Sequence, residues 1–209
     1  MASFPKLRFT TTWLINLLFQ TKGYGLENIP VTGPFVVVAN HASFLDPYLI
    51  GFTSINRQVG FMAKEELFKV PIFGSIIRYC GAFPVKRGTR DDSAIQHFHD
   101  FLHSGKPLVL FVEGTRTLTG ELQKAKKGSG MLIYNAKVPV IPAYIDGTFN
   151  CWPKGQWLPK SGKTSVTYGP TINLDDLYRE SADKKTYEKI AVRMMESIAR
   201  LKPTQTQPA

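Results

Sequence analysis

Short apolar runs recur along the chain, and between them lie stretches whose apolar positions repeat at helical spacing. Phe35 to Ala39 is the first such run and predicts a short buried strand, after which Asp46 and Pro47 read as the N-cap and first residue of a helix. "QVGFMA" predicts a second strand. "KEELFKVPIFGSIIRYC" predicts a helical stretch broken at Pro71, where proline removes an N–H and crowds the preceding turn. "AFPV" and "PLVLFV" read as strands on either side of a helix from about Asp91 to His103. A helix around Ser129 to Ala136, the strand "VPVIPAYI", a loop rich in Trp, Pro and Lys, the strand "TSVTYG" and an amphipathic helix ending near Leu201 complete the pattern. The two prolines in "VPVIPAYI" point to an edge, a bulge or a rigid turn, because proline cannot donate to a ladder. Alternation of this kind predicts a single α/β domain built on a mostly parallel mixed sheet flanked by helices.

Ahead of the first strand, Phe9 to Gln20 is apolar and flanked by Lys6, Arg8 and Lys22. A helix of about a dozen residues reaches roughly 18 Å, short of a hydrocarbon core about 30 Å thick. It cannot cross. Thr12, Asn16 and Gln20 form a narrow polar stripe, and Trp13, Leu14, Leu17 and Leu18 fill the remainder. That is the profile of a helix lying in the plane of a membrane surface, although a helix covering the core has the same pattern. A secretory signal is disfavoured by the lack of a small-residue cleavage site before the first strand. The predicted organisation is an amphipathic, membrane-associating helix within 1–24, one domain over 25–201 and a polar, disordered tail over 202–209.

Composition changes this picture in one respect. The chain has 209 residues, 43% of them hydrophobic and 20% charged, which excludes disordered and collagen-like classes and suits one domain. The balance of 26 Lys and Arg against 16 Asp and Glu leaves a net charge of +10, so anionic partners are favoured: phosphates, acidic lipids, acidic proteins or nucleic acid. Cys80 and Cys151 stand in no metal or redox spacing, as in a protein of a reducing compartment. His99 and His103 are spaced to share a helix face, but no cysteine or third ligand accompanies them, and no metal is expected.

The candidate chemistry sits at strand ends. His41 falls in the turn after the first strand with Asp46 just beyond it, a possible base with a carboxylate to orient it. The same spacing fits an Asp46 that only caps its helix and a His41 that only fills the turn. "GAFPVKRG" ends a strand in Lys86 and Arg87, and "LVLFVEGTRT" ends one in Glu113, Gly114, Thr115 and Arg116. In a parallel sheet such ends converge on one rim, so His41, Arg87 and Arg116 can face one crevice.

Taken in order, NHASFLD, GAFPVKRG, VEGTRT and VPVIPA resemble the four blocks of the glycerolipid acyltransferases of the 1-acylglycerol-3-phosphate type. The resemblance runs from about Val36 to Thr148 and extends weakly to "VTYGPTI". The third block commonly reads FPEGTRS, whereas Val112 and Thr117 stand here in place of the proline and serine. The region before the first block is short, so a longer membrane-spanning or two-helix extension found in some relatives is expected to be absent or abbreviated.

The resemblance implies transfer of a fatty acyl group from a thioester, on coenzyme A or acyl carrier protein, to the free hydroxyl of 1-acylglycerol 3-phosphate. The product is phosphatidic acid, in phospholipid synthesis, and no cofactor is needed beyond the acyl donor. His41 would take the proton of the acceptor hydroxyl, Asp46 would hold the imidazole, and backbone N–H groups near His41 would face the developing oxyanion. Arg87 and Arg116, with Lys86 as a weaker candidate, would bind the acceptor phosphate, since guanidinium grips phosphate oxygens in pairs. Glu113 would orient Arg116 or bind an acceptor hydroxyl, Gly114 and Thr115 completing the substrate-binding turn with close backbone approach. Ser43 offers a rival acyl-enzyme route but is expected to brace the turn.

The expected partners are an anionic membrane surface, a lysophospholipid and acyl-CoA or acyl carrier protein, with no nucleic acid, at the cytoplasmic face of a membrane as a peripheral or monotopic protein. Leu67 to Phe83, with Lys64, Lys69 and Arg78 around it, is expected either to join the core or to dock with the first helix on that surface. The alternatives are the same chemistry on glycerol 3-phosphate or another lysolipid, and a non-catalytic module for anionic lipid or nucleic acid. In that last case Trp152 and Trp157, beside Lys154 and Lys160, would stack on bases.

Overall fold

The computed structural model describes residues 16–53, 59–71, 73–79, 81–86 and 91–203. Its strands are β1 (Lys22–Tyr24), β2 (Val36–Ala39), β3 (Gly60–Lys64), β4 (Ala82–Val85), β5 (Leu108–Phe111), β6 (Val140–Asp146) and β7 (Ser165–Tyr168), joined in one sheet in the order β1-β7-β6-β2-β5-β3-β4. All neighbours run parallel except β6 and β7, so the predicted mixed, mostly parallel α/β domain is what forms. The helices are α1 (Asp46–Thr53), α2 (Phe73–Tyr79), α3 (Asp92–His103), α4 (Lys127–Ala136), α5 (Thr148–Cys151), α6 (Asp175–Tyr178) and α7 (Lys184–Ala199).

The strand β2 is apolar at every position because both of its faces are covered. Val36 and Val38 pack with Leu108 and Leu110 of β5 against Phe98 and Leu102 of α3, Ile133 of α4 and Ile190, Met194 and Ile198 of α7. On the other face Phe35, Val37 and Ala39 meet Leu49 and Ile50 of α1, with Val109, Ile141 and Val166 from neighbouring strands. The broken stretch behaves as predicted: a 3-10 turn over Glu65–Lys69, a turn at Pro71, then α2.

One expectation is corrected and one element is new. β6 is an interior strand rather than an edge, and it tolerates Pro142 because that residue's missing N–H lies on the side away from β2. There the ladder with β7 starts only at the Ala143 and Tyr168 pair, and the Pro142 carbonyl takes the Gly169 N–H. The described part of the helix expected over Phe9 to Gln20, residues 16–19, ends one residue short of that bound, and Lys22–Tyr24, for which no element was expected, form β1. The Thr164 carbonyl captures the Lys22 N–H and Lys22 registers with Ser165, so a segment with no apolar run becomes a strand by pairing with β7. Residues 1–15 lie outside the described residues, as do 204–209 of the predicted tail.

The reversal at β7 sets which end of the sheet receives the N-terminal segment. Ser165, the start of β7, pairs with Asp146, the end of β6, so β7 and its parallel partner β1 both begin on the rim where the other strands finish. The helical turn at 16–19 therefore meets the sheet on the rim that carries His41, with Phe19 buried in the core and Leu17 and Leu18 exposed. Among the described residues no helix is long and apolar enough to cross a membrane.

Candidate functional site

Asn40 ends β2 by imitating one more rung of the ladder. Its side-chain amide donates to the Ile145 carbonyl at 3.0 Å and accepts the Ile145 N–H at 2.8 Å, tying the turn to β6. On the other side the Thr117 N–H donates to the His41 carbonyl at 2.8 Å, tying it to the segment after β5. His41 is thus placed by main chain and neighbours before its side chain makes any contact.

Its ring then meets Asp46, with Nδ1 and Oδ2 2.8 Å apart. The same oxygen accepts the N–H groups of Ala42 at 2.6 Å and Ser43 at 2.7 Å, and the Asp46 side chain is fully buried. An ionised carboxylate only accepts, so Nδ1 carries its proton toward Asp46 and the Nε2 lone pair is the free one. Phe111 fixes the ring plane, stacked at 4.1 Å between centroids and 17° between planes. The expectation that Asp46 caps α1 is corrected: it is already the first residue of the helix, and its carboxylate reaches back to Ala42 and Ser43.

Ser43 has the bracing role expected of it. Its buried hydroxyl donates to the Trp152 carbonyl at 2.8 Å and accepts the Leu45 N–H at 3.1 Å. With the N–H groups of His41, Ala42, Ser43 and Leu45 all bonded internally, these four are removed as oxyanion donors.

Glu113 lies against the turn from β5, 1% exposed, and accepts the His41 N–H through Oε1 at 3.3 Å. Burial raises its carboxyl from the ordinary 4.5 to about 7, against the lowering effect of its hydrogen bonds to Gln123 and His41. Gln123 Nε2 donates both to Glu113 Oε2 at 2.7 Å and to the Thr115 carbonyl at 3.2 Å, clamping the turn between them. Gly114 sits within that turn at φ 69°, a left-handed conformation that glycine adopts without strain. The Arg116 guanidinium lies 3.5 Å from the centroid of Phe44, in the same turn as His41.

The structure therefore gathers His41, Asp46, Glu113, Gly114, Thr115 and Arg116 around one strand end. Lys86 follows β4, the outer strand, three places from β2 on the same rim, and its side chain is exposed. Its N–H is held at 2.7 Å by Asp91 Oδ2. Arg87 lies outside the described residues. At the end of β3 and just beyond it, Lys64 pairs with Glu66 and Lys69 with Glu65, while Arg78 lies 5.1 Å from the Phe68 ring centroid, so those cations are engaged locally. On α3, His97 Nδ1 donates to the Ser93 carbonyl, and the His99 and His103 rings lie 6.5 Å apart.

Asn40, Phe111 and Gln123 escaped the sequence reading. A signal for Phe111 existed: it registers with Ala39, and His41 continues the alternation of Val37 and Ala39 onto the same face. Gln123 has no such signal, since it is brought to Glu113 by the path of a loop.

Known proteins resemble this chain in sequence and in fold. A family model described as Acyltransferase matches residues 20–146. The 1-acyl-sn-glycerol-3-phosphate acyltransferase of Bacillus subtilis (strain 168) is 30% identical over 163 residues, 78% of this chain and 79% of that protein. Its counterpart from Streptococcus pneumoniae is 31% identical over 168 residues, 80% of this chain and 60% of that protein. The crystal structure of the 1-acyl-sn-glycerophosphate (LPA) acyltransferase PlsC from Thermotoga maritima aligns at a TM-score of 0.72 and 28% identity, covering 99% of this chain and 86% of that one.

Proposed function

This chain belongs to the acyltransferase family, and we propose that it moves a fatty acyl group from an acyl thioester to the free hydroxyl of 1-acylglycerol 3-phosphate, forming phosphatidic acid. The observation that carries the mechanism is the His41 and Asp46 pair, with Asp46 Oδ2 held by two backbone N–H groups as well as by the imidazole. An acceptor hydroxyl is too weak an acid to attack unaided at neutral pH. His41 Nε2 takes its proton as the oxygen adds to the thioester carbon, and the Asp46 carboxylate stabilises the imidazolium so formed. The tetrahedral intermediate then expels the thiolate, which recovers the proton from His41. No enzyme nucleophile is needed, consistent with a Ser43 hydroxyl already committed to Trp152.

Glu113 holds the His41 main chain and the Thr115 turn through Gln123, and Arg116 stands beside that turn to take acceptor phosphate oxygens. Arg87 and Lys86 are the further phosphate ligands of the reading. The acyl donor is acyl-CoA or acyl-carrier protein, no separate cofactor takes part, and the protein works as a peripheral or monotopic protein at the cytoplasmic face of an anionic membrane. The net charge of +10 supports anionic partners of this kind.

The test is purified protein incubated with a panel of acyl-CoA and acyl-carrier-protein donors and labelled acceptors, read by mass spectrometry. Phosphatidic acid from 1-acylglycerol 3-phosphate is expected. Preference for glycerol 3-phosphate or another lysolipid would replace the acceptor, and a covalent acyl adduct on the protein would overturn direct transfer.

A further inference from the structure

The chain between Asp146 and Asp175 carries three lysines, Lys154, Lys160 and Lys163, and no acidic residue. Within it, residues 152–163 leave one end of the candidate site and arrive at the N-terminal segment. At the first end Ser43 donates to the Trp152 carbonyl and bridges Pro153. At the other, the Gly162 N–H donates to the Leu18 carbonyl at 3.1 Å and the Thr164 N–H to that of Phe19 at 3.0 Å.

Between these anchors the loop is braced from inside. The Trp152 indole N–H donates to the Gln156 carbonyl at 3.0 Å, the Gln156 N–H to Pro153, and the Gln156 amide to the Leu158 carbonyl. The bracing turns apolar side chains outward: Trp157 is 89% exposed and Leu158 66%, and Leu17, at the far anchor, is 62% exposed. Lys154, Lys160 and Lys163 are exposed and form no ion pair among the described residues. An ordered loop that holds a tryptophan and a leucine in water, flanked by unpaired cations, has the composition of a surface that enters the headgroup layer of an anionic bilayer.

We propose that residues 152–163 are a membrane-docking loop, with Trp157 and Leu158 entering the headgroup layer and Lys154, Lys160 and Lys163 meeting the lipid phosphates. The loop deepens the lipid acyltransferase reading and rests on it for its purpose, but its occupant follows from its own side chains. Its charge complements an anionic surface, and its far anchor continues into Leu17 and Leu18 on the same rim. It differs from the end of β3 and the stretch just beyond it, whose cations are engaged locally.

The full chain is titrated with vesicles of phosphatidylcholine alone and of phosphatidylcholine with phosphatidylglycerol. Trp157→Ala with Leu158→Ala is expected to weaken binding to the anionic vesicles about tenfold, at an unchanged melting temperature. Lys154→Gln and Lys160→Gln are each expected to weaken it about fivefold and to flatten its salt dependence. Turnover of a bilayer-embedded acceptor should fall with the binding, whereas turnover of a short-chain, water-soluble acceptor should stay at the parent's level. In a Trp13→Phe background, vesicles should shift the tryptophan emission to the blue, and Trp157→Phe should remove that shift.

Unchanged vesicle affinity in the Trp157→Ala, Leu158→Ala protein would overturn the loop's role, whatever the enzyme's substrate proves to be. Absence of turnover on both acceptors would instead overturn the functional reading, leaving the binding result to decide the loop. A Trp157 emission change with single-stranded DNA and none with vesicles would assign the loop to nucleic acid and overturn the proposal.

Discussion

Two strand-to-helix turns on one rim place an aspartate five residues after a basic residue, and they use it in opposite directions. Asp46 is the first residue of α1, and its buried carboxylate turns back onto Ala42, Ser43 and the His41 ring. Asp91 stands one place before α3 as its N-cap, accepting the Ala94 N–H and Ser93 hydroxyl forward and the Lys86 N–H behind. Side chains inside a helix tilt toward its N-terminus, whereas an N-cap side chain reaches the N–H groups of the first turn. A shift of one residue in the helix start thus converts a cap into an imidazole partner. Burial completes the difference, since the His41 ring is enclosed by Phe111 and Asp46 while Lys86 is left to solvent.

The comparison breaks most severely at the buried turn. Asp46→Asn keeps the shape but removes the charge and unsettles the tautomer, and turnover is expected to fall about 10²–10⁴-fold, as with His41→Ala. Acceptor KM should change far less, and steady-state kinetics showing near-native turnover in either variant would remove the pair from the mechanism.

The two neighbourhoods should also respond to pH with opposite signs. Glu113, raised from 4.5 to about 7 by burial, contributes stability that is full below 4.5 and is lost as pH rises through 7. The loss amounts to about 3 kcal/mol across that window. Glu113→Gln does not titrate, so thermal melts at pH 5 and pH 8 should show the variant gaining on the parent at the higher pH. A constant gap would mean that the carboxyl is not held in this way.

The smallest effect belongs to Asp91. Hydrogen bonds from the Lys86 N–H, the Ser93 hydroxyl and the Ala94 N–H hold its carboxyl down at about 2, so its contribution is present above 3.8 and is lost as pH falls toward 2. Asp91→Ala should lower the melting temperature slightly at neutral pH, with the difference vanishing in acid. A difference that persists in acid would mean that these hydrogen bonds do not hold the carboxyl down.

Much of this was legible in the sequence because it is written in local patterns. The continuous apolar run of β2, the break at Pro71 and the basic strand ends each depend on a few adjacent residues. The strand β1 was not legible, since Lys22, Gly23 and Tyr24 become extended only through β7, far along the chain. The same holds for Asn40 and Gln123, whose partners Ile145, Glu113 and Thr115 are set by folding rather than by spacing. The N-cap position read for Asp46 missed by one residue of helix register, the kind of boundary that periodicity resolves least well, whereas its pairing with His41 formed.

The inverted strand β7 has a consequence for traffic. Because it brings the N-terminal segment to the rim that carries His41, a protein resting on a bilayer by that segment presents its site to the plane in which a lysophospholipid diffuses. Under the proposed function and docking, acceptor capture becomes a two-dimensional search, with the lipid arriving sideways and the product leaving by the same route.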